Sequence, residues 1–352
     1  MDAEKLINYL ESSFLADLLK KEDVTDISYN GEDIYYVHNH FGRLKRKIAV
    51  EPQVVKDFVR QIANLAEKQF SYQNPELDVS FGRYRLTALH QSVCRKNNKE
   101  CINFSLRLCS NKLRIQKDEK TFPQELCDLI EVLIDSNVSV VIGGITGSGK
   151  TELQKYFVTN MKENTRVIVI DNILELDLLE NTNDVDLNIW QVNENQPNSS
   201  IQRLVRTALR SNPDWLIVAE SRGQEMLEVL NSALTGHPII TTVHAFDIQS
   251  MPYRMVRMVM MNEQKMTLED VYHDISYHLR FYIFLKRKYT RDGVVLRFIS
   301  SIAYLNKDKM EEIYGSDGEK KWFKTLSNEA ISMLDLSHAT SLFKNTYLGG
   351  NK

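Results

Sequence analysis

A glycine-rich octapeptide carries the clearest chemistry in the sequence. Residues 144–151 match the phosphate-binding pattern GxxxxGK[ST] in full. Glycines let the backbone N–H groups of such a loop turn toward phosphate oxygens, while Lys150 supplies positive charge and Thr151 a hydroxyl for Mg²⁺. The pattern therefore predicts a nucleotide-binding P-loop. The expected contacts come from Gly144, Thr146, Gly147, Ser148, Gly149, Lys150 and Thr151.

Two carboxylates follow apolar runs that are typical of buried parallel strands. Glu175 comes shortly after Val167–Ile170, and Glu220 directly follows Trp215–Ala219. The carboxyl ends of parallel strands gather ligand contacts in α/β folds. Hydrolysis of a nucleotide needs one carboxylate to order water and another near the metal. We therefore predict that Glu175 and Glu220 are catalytic, with Glu220 acting on Mg²⁺ through water.

Two arginines and two histidines are further candidates. Arg206 and Arg210 lie four residues apart on one face of a predicted helix, where they could clamp phosphate charge or simply be solvated. His237 and His244 flank an apolar strand. His244, at the end of that strand, is expected to contact the γ-phosphate and take part in catalysis, and His237 is a candidate sensor. A structural role is the alternative for each histidine.

The elements around these residues divide the chain into four segments. Residues 1–110 alternate helical and strand patterns and predict a small α+β domain, which opens with one amphipathic helix over the first twenty residues. Residues 111–123 are polar and predict a linker. Residues 124–300 alternate strands with helices, which predicts a doubly wound α/β domain. Residues 301–352 form a C-terminal extension whose role the sequence leaves open.

Composition excludes several classes of protein. The chain has 44 Lys and Arg against 47 Asp and Glu, a net charge of −3, which disfavours a surface built to hold nucleic acid. Its four cysteines show no CxxC spacing, so we expect reduced thiols and no metal. The N-terminus lacks the pattern of a signal peptide, and no apolar run reaches membrane-spanning length. These features predict a soluble cytoplasmic protein.

Four sequence boxes, in order, resemble those of the type II and type IV secretion system ATPases, also called traffic ATPases. The similarity is greatest to the branch shared by conjugation and tight-adherence pilus ATPases. The boxes are Gly144–Thr151, Arg166–Leu176, Ala208–Gly223 and Thr235–Ala245. The resemblance implies a RecA-like P-loop NTPase domain behind a PAS-like α+β domain, with Glu175 as the catalytic base. It also implies that Arg85 and Arg107 reach the nucleotide. The chain departs from the family at Asn172, where an Asp is usual.

The resemblance also implies a function and its partners. ATP and Mg²⁺ are the expected ligands, and six copies are expected to form a ring in which arginines reach a neighbour's nucleotide. The predicted function is an ATP-hydrolysing motor that powers a secretion, conjugation or type IV pilus-like apparatus. It would bind the inner components of a membrane complex from the cytoplasm, without sequence-specific nucleic-acid binding. Two alternatives stay open: a RecA-like NTPase that acts directly on nucleic acid, and a nucleotide-binding regulator without turnover.

Overall fold

The chain folds as two units, and the first draws on two separate parts of the sequence. Unit 1 comprises Met1–Asn111 and Tyr289–Val295, and unit 2 comprises Lys112–Lys288 and Leu296–Lys352. The computed structural model describes residues 2–110, 112–172, 175–177, 179, 182, 184–193, 198–262 and 266–349. Among these residues, no helix combines the length and the apolar character needed to span a bilayer.

Unit 1 is an antiparallel sheet covered by amphipathic helices. Its helices are α1 (Ala3–Glu11), α2 (Ala16–Leu19) and α3 (Pro52–Leu65). Its strands are β1 (Val24–Tyr29), β2 (Ile34–His38), β3 (Gly42–Lys45), β4 (Glu76–Phe81), β5 (Tyr84–Leu89), β6 (Arg95–Lys96), β7 (Lys99–Glu100) and β8 (Asn103–Leu108). Six strands form one sheet in the order β3-β2-β1-β8-β5-β4, and β6 pairs with β7 alone. The buried faces of α1 and α3 complete the core of the unit.

The single helix predicted over the first twenty residues is wrong. The Ser12 hydroxyl donates a hydrogen bond to the Asn8 carbonyl at 2.8 Å, and α1 ends at Glu11. A serine hydroxyl that bonds back to the carbonyl four residues earlier competes with the helical pattern. The chain resumes as the one-turn helix α2, so the apolar stripe of the sequence continues across the break.

Unit 2 is built on a nine-stranded sheet. Its helices are α4 (Gln124–Asp135), α5 (Lys150–Thr159), α6 (Ile201–Ala208), α7 (Met226–Leu234), α8 (Ser250–Val259), α9 (Leu268–His278), α10 (Asn328–Ile331) and α11 (Ser341–Tyr347). Its strands are β9 (Val140–Gly144), β10 (Arg166–Asp171), β11 (Asp186–Gln191), β12 (Trp215–Val218), β13 (Ile239–Val243), β14 (Phe281–Tyr289), β15 (Val295–Asn306), β16 (Lys309–Ser316) and β17 (Lys321–Phe323).

The strand order of this sheet is β11-β10-β12-β13-β9-β14-β15-β16-β17. The strands from β11 to β14 run parallel, with β9 between β13 and β14. The last pairs, β15 with β16 and β16 with β17, are antiparallel. Helices α4 and α5 pack on one face, and α6 to α9 on the other. This arrangement confirms the predicted doubly wound α/β fold, preceded by a smaller α+β unit.

The C-terminal residues belong to this unit, which differs from the predicted boundary at residue 300. Strands β15 to β17 extend the sheet, and α11 packs on α4. The buried Asp128 carboxylate of α4 accepts a hydrogen bond from the Thr340 hydroxyl, which also caps α11. Tyr347 is fully buried, and its hydroxyl donates to the Glu125 carbonyl at 3.1 Å. Edge strands and short helices carry weak sequence patterns, so the continuation of the sheet is not apparent from the sequence.

Replacement of the α11 core residue Phe343 by alanine should destabilise unit 2. Its side chain is fully buried, and a buried Phe→Ala change costs about 3–5 kcal/mol through lost apolar burial and the cavity left behind. Leu342 on the same helix is 38% exposed, so Leu342→Ala is the matched control and should cost less than about 1 kcal/mol. Denaturant unfolding followed by tryptophan fluorescence measures this, since all three tryptophans lie in unit 2. Equal losses in the two variants would contradict a core role for α11.

The turn between β14 and β15 packs in unit 1. The Val295 N–H donates to the His40 carbonyl at 2.6 Å. Gly42, with φ +71°, lies against the Tyr289 ring, and a Cβ atom added to Gly42 would sit 2.8 Å from Tyr289 Cε1. The predicted division of the chain into consecutive segments did not include this contribution from residues 289–295.

Candidate nucleotide-binding site

The P-loop connects β9 to α5. Gly149 occupies the N-cap of α5 with φ +102°, a left-handed conformation that favours glycine, and it provides no side-chain cap. The first N–H groups of α5 therefore stay available to a ligand. Gly144 also requires glycine, because an added Cβ would sit 2.7 Å from the Leu285 carbonyl oxygen of the neighbouring strand. Thr146 and Gly147 are exposed at the top of the loop.

The polar groups of the loop fit a phosphate ligand. Lys150 is 9% exposed, and its ammonium donates to the carbonyls of Gly144 at 3.0 Å and Ile145 at 3.2 Å. The Ser148 hydroxyl is buried without a hydrogen-bond partner among the described residues. A buried ammonium, an unsatisfied hydroxyl and an uncapped helix N-terminus together favour an anion. Thr151 is the second residue of α5, so its hydroxyl is available to a metal ion that is bound to the phosphate.

Glu220 and His244 meet at the ends of the adjacent strands β12 and β13. Glu220 Oε1 lies 2.9 Å from His244 Nε2, without hydrogen-bond alignment, and Oε2 accepts a hydrogen bond of 2.5 Å from Arg222. Burial opposes ionisation of Glu220, but the Arg222 guanidinium outweighs it, so the pKa of Glu220 is lowered. Burial, and then the Lys150 ammonium, lower the pKa of His244. The site therefore holds an ionised carboxylate beside a neutral imidazole at neutral pH.

The pKa of His244 should report on this cluster. We expect its titration midpoint below the ordinary value of 6.5, rising in Lys150→Ala, where a nearby cation is lost, and falling further in Glu220→Gln, where a carboxylate is lost. The imidazole of the unfolded chain is protonated near pH 6.5, whereas that of the folded protein is protonated only at lower pH. His244 therefore lowers the free energy of unfolding as the pH falls from 6.5 toward the folded midpoint. Proton NMR of the imidazole C–H signals, assigned with His244→Gln, measures the midpoint. A midpoint unmoved by both variants would contradict the cluster.

Three side chains that the sequence did not single out hold the end of β12 in place. The Gln154 amide of α5 donates to the Ala219 carbonyl at 3.2 Å, and the Thr242 hydroxyl donates to the same oxygen at 2.8 Å. Arg222 is the third, through its bond to Glu220. Gln154 is a fully buried polar residue one helical turn after Lys150. Its burial indicates a specific role, but burial is known only from the structure and not from the sequence.

The segment that carries Glu175 begins at the end of β10, next to β12. Ile170 pairs with Val218 in parallel register, so Asp171 and Ala219 follow at the same edge of the sheet. The Glu175 N–H donates to Asp171 Oδ2 at 3.3 Å, and Asp171 is buried. Residues 173 and 174 lie outside the described residues. The structure thus positions the Glu175 backbone through Asp171, one residue before the Asn172 departure.

Three of the four candidate arginines have carboxylate partners. Arg206 pairs with the buried Glu228 of α7, although its side chain is exposed. In unit 1, Arg85 binds Asp78 through two hydrogen bonds of 3.0 and 2.7 Å, and Arg107 Nε lies 3.5 Å from Asp26 Oδ1. Each of these ion pairs joins residues of two different helices or strands, so the spacing of residues in the sequence does not reveal it. Arg210 follows α6 and is exposed.

His237 does not join the P-loop. It precedes β13, whereas β13 runs parallel to β9 and the P-loop follows the carboxyl end of β9. The five residues of β13 span roughly 16 Å at about 3.3 Å each, which separates His237 from His244. His237 Nδ1 instead lies 3.1 Å from the Thr235 hydroxyl. The two histidines therefore lie at opposite ends of β13, and the sensor role of His237 stays a prediction.

The fold and the loop together define a RecA-like P-loop NTPase. The chain belongs to the family described as Type II/IV secretion system protein, whose model matches residues 89–276, more than half of the 352 residues. This confirms the family predicted from the four boxes.

The chain is also similar to individual proteins. An uncharacterized protein of Bacillus anthracis is 25% identical over 336 residues, which cover 90% of this chain and 75% of the relative. The type IV secretion system protein VirB11 of Brucella suis is 34% identical over 128 residues, 36% of each chain, so the match spans about a third of that relative. The ATPase DotB of Legionella pneumophila shares the fold, with a TM-score of 0.62 and 22% identity over 87% of this chain and 82% of that one.

Proposed function

We propose that the protein is an ATP-hydrolysing motor that powers a secretion, conjugation or type IV pilus-like assembly apparatus. The observation that carries the proposal is the P-loop with its uncapped α5 N-terminus and buried Lys150, beside the Glu220 carboxylate. A loop of this kind binds phosphate, and an ionised carboxylate next to it fits Mg²⁺-dependent hydrolysis. The membership in the Type II/IV secretion system protein family supports the biological role.

Each residue has a role in this proposal. Lys150 would exchange the carbonyls of Gly144 and Ile145 for phosphate oxygens. The Thr151 hydroxyl and Glu220, the latter through water, would hold Mg²⁺, which neutralises charge on the phosphates when bound. Glu175 would take the proton of the attacking water.

His244 and the arginines would stabilise the charge on the phosphates. His244 is neutral at pH 7 and can donate one N–H to the γ-phosphate without the cost of burying a second charge. Arg85, Arg107 and Arg206 would have to leave their carboxylate partners to act on a nucleotide, whereas Arg210 is exposed. We retain all four as candidate intersubunit arginines, with Arg210 requiring the least rearrangement.

The proposed assembly is a homo-oligomer, a hexamer by analogy with the family, on the cytoplasmic side of the membrane. Its proposed partners are the inner components of a secretion, conjugation or pilus complex, which would hold it at the membrane peripherally. The transported cargo would be single-stranded DNA with its protein, pilins or secreted proteins. No sequence-specific contact with nucleic acid is proposed.

Steady-state phosphate release, combined with the mass of the particle by light scattering, tests the motor proposal. We expect ATP hydrolysis that requires Mg²⁺ and that rises when the protein assembles. An assembled particle that binds ATP but releases no phosphate would contradict the motor and favour a regulator without turnover. Hydrolysis that appears only with single-stranded DNA would favour the alternative NTPase that acts on nucleic acid.

A further inference from the structure

Two arginines outside the four sequence boxes converge on the top of the P-loop. Arg297 of β15 donates a hydrogen bond from Nε to the Gly147 carbonyl at 2.9 Å. Arg287 of β14 lies against the other side of the same glycine, and a Cβ atom added to Gly147 would sit 2.9 Å from Arg287 Nη1. Gly147 is exposed and has φ +74°. All three residues belong to unit 2.

The sheet brings these arginines to this place. β14 pairs in parallel with β9, with Leu285 opposite Gly144, so Arg287 follows two residues beyond the point where the P-loop begins. Thr290 and Val294 close the turn between β14 and β15 with a hydrogen bond of 2.8 Å. Arg287 and Arg297 lie on the two strands that this turn joins, and both side chains reach Gly147.

The Arg297 and Arg287 side chains both lie at Gly147, so positive charge is concentrated at the top of the P-loop, which favours an anion there. Lys288 next in sequence pairs with Glu319 at 3.3 Å. In the part of the chain that the structure describes, Arg287 has no such carboxylate, and its side chain is exposed beside the loop. A guanidinium has five donors and no acceptor, and it binds phosphate oxygens in a planar, two-pronged manner. The phosphate chain is the anion expected at the P-loop.

We propose that Arg287 is a phosphate-contacting residue of the nucleotide site, supplied by the same chain that carries the P-loop. Arg297 fixes the turn of the P-loop through the Gly147 carbonyl and thereby sets the distance between Arg287 and the phosphates. The inference rests on the proposed nucleotide site. Arg287 is on β14, on one side of β9 in the strand order, whereas Glu220 follows β12, on the other side. It requires no rearrangement of an existing ion pair, in contrast to Arg85, Arg107 and Arg206.

Calorimetric binding of AMP, ADP and the non-hydrolysable analogue AMP-PNP to the full-length protein tests the proposal. We expect Arg287→Ala to weaken AMP-PNP and ADP roughly 10- to 100-fold and AMP less than about 3-fold, because the lost contact is to the outer phosphates. Arg287→Lys should recover part of this loss, since it keeps the charge without the planar fork. The matched control is Lys286→Ala, which removes one exposed positive charge from the opposite face of β14.

Three results would overturn the proposal. Arg287→Ala and Lys286→Ala could weaken AMP-PNP equally, which would mean that only the net charge matters. Arg287→Ala could weaken AMP as much as AMP-PNP, which would place the contact away from the outer phosphates. A wild-type protein that binds none of the three ligands would refute both this proposal and the nucleotide site. Tight binding without hydrolysis would instead refute the motor and leave the predicted ranking of the Arg287 variants standing.

Discussion

The Lys150→Ala protein should neither bind ATP tightly nor hydrolyse it. Lys150 is the first residue of α5, directly after the P-loop turn. Its ammonium donates hydrogen bonds to two loop carbonyls, which a bound phosphate would replace as acceptors. Loss of a charge-assisted contact weakens binding by roughly 10- to 100-fold. Loss of a cation that faces the charge developing during phosphoryl transfer lowers kcat by a further factor of roughly 100 to 1,000.

Phosphate release and calorimetric ATP binding measure the two effects separately. Lys162→Ala is the control, because Lys162 is an exposed lysine paired with Asp135 just after α5 and its loss makes the same change in net charge. The melting temperature of Lys150→Ala should stay within a few degrees of the wild type, since the hydrogen bonds from Lys150 to the Gly144 and Ile145 carbonyls lie within the P-loop itself. Retention of more than a tenth of the wild-type hydrolysis by a folded Lys150→Ala protein would contradict the assignment of the P-loop.

The Glu175→Gln protein should bind ATP normally but fail to hydrolyse it. An amide keeps the size of the side chain and removes its capacity to accept a proton from water, and general base catalysis contributes about 10²- to 10⁴-fold. The backbone of Glu175 is held by Asp171 at the end of β10, so the substitution should not disturb the loop itself. We expect kcat to fall within that range and the affinity for ATP to change less than about 3-fold.

A matched control lies two residues away. Asp177 is exposed, and Asp177→Asn removes one negative charge from the same segment without a predicted catalytic effect. Glu220→Gln adds a third comparison, because it should weaken the dependence on Mg²⁺ as well as hydrolysis. If Glu175→Gln hydrolyses ATP at the rate of Asp177→Asn, the base is another group, and the resemblance of Arg166–Leu176 to the family box does not extend to the role of its Glu.

The part of the site that the sequence predicts well is the part built from contiguous residues. The octapeptide from Gly144 to Thr151 has a strand before it and a helix after it, as its pattern requires. The parallel sheet and the family membership are confirmed as well. Hydrophobic runs of β-branched residues determine buried parallel strands locally, so Glu220 and His244 are predicted to follow strands and do so. Their catalytic roles stay predictions.

The part that the sequence predicts poorly depends on contacts between distant segments. Nothing near Arg206 indicates that Glu228, on the next helix, is its partner. His237 and His244 are seven residues apart, and only the direction of β13 shows that one of them faces away from the P-loop. Arg287 and Arg297 carry no motif, and their convergence on Gly147 follows from the order of the strands.

Residues 289–295 limit where the chain can be truncated to isolate unit 1. Because this turn completes unit 1 through the His40 carbonyl and the surface beside Gly42, a fragment that stops at residue 110 is missing a piece of its own fold. We expect the remainder of the chain, which carries residues 289–295, to supply that piece without a covalent bond. The protein is thus suited to fragment complementation, and residue 110 is a poor choice of end for an isolated first domain.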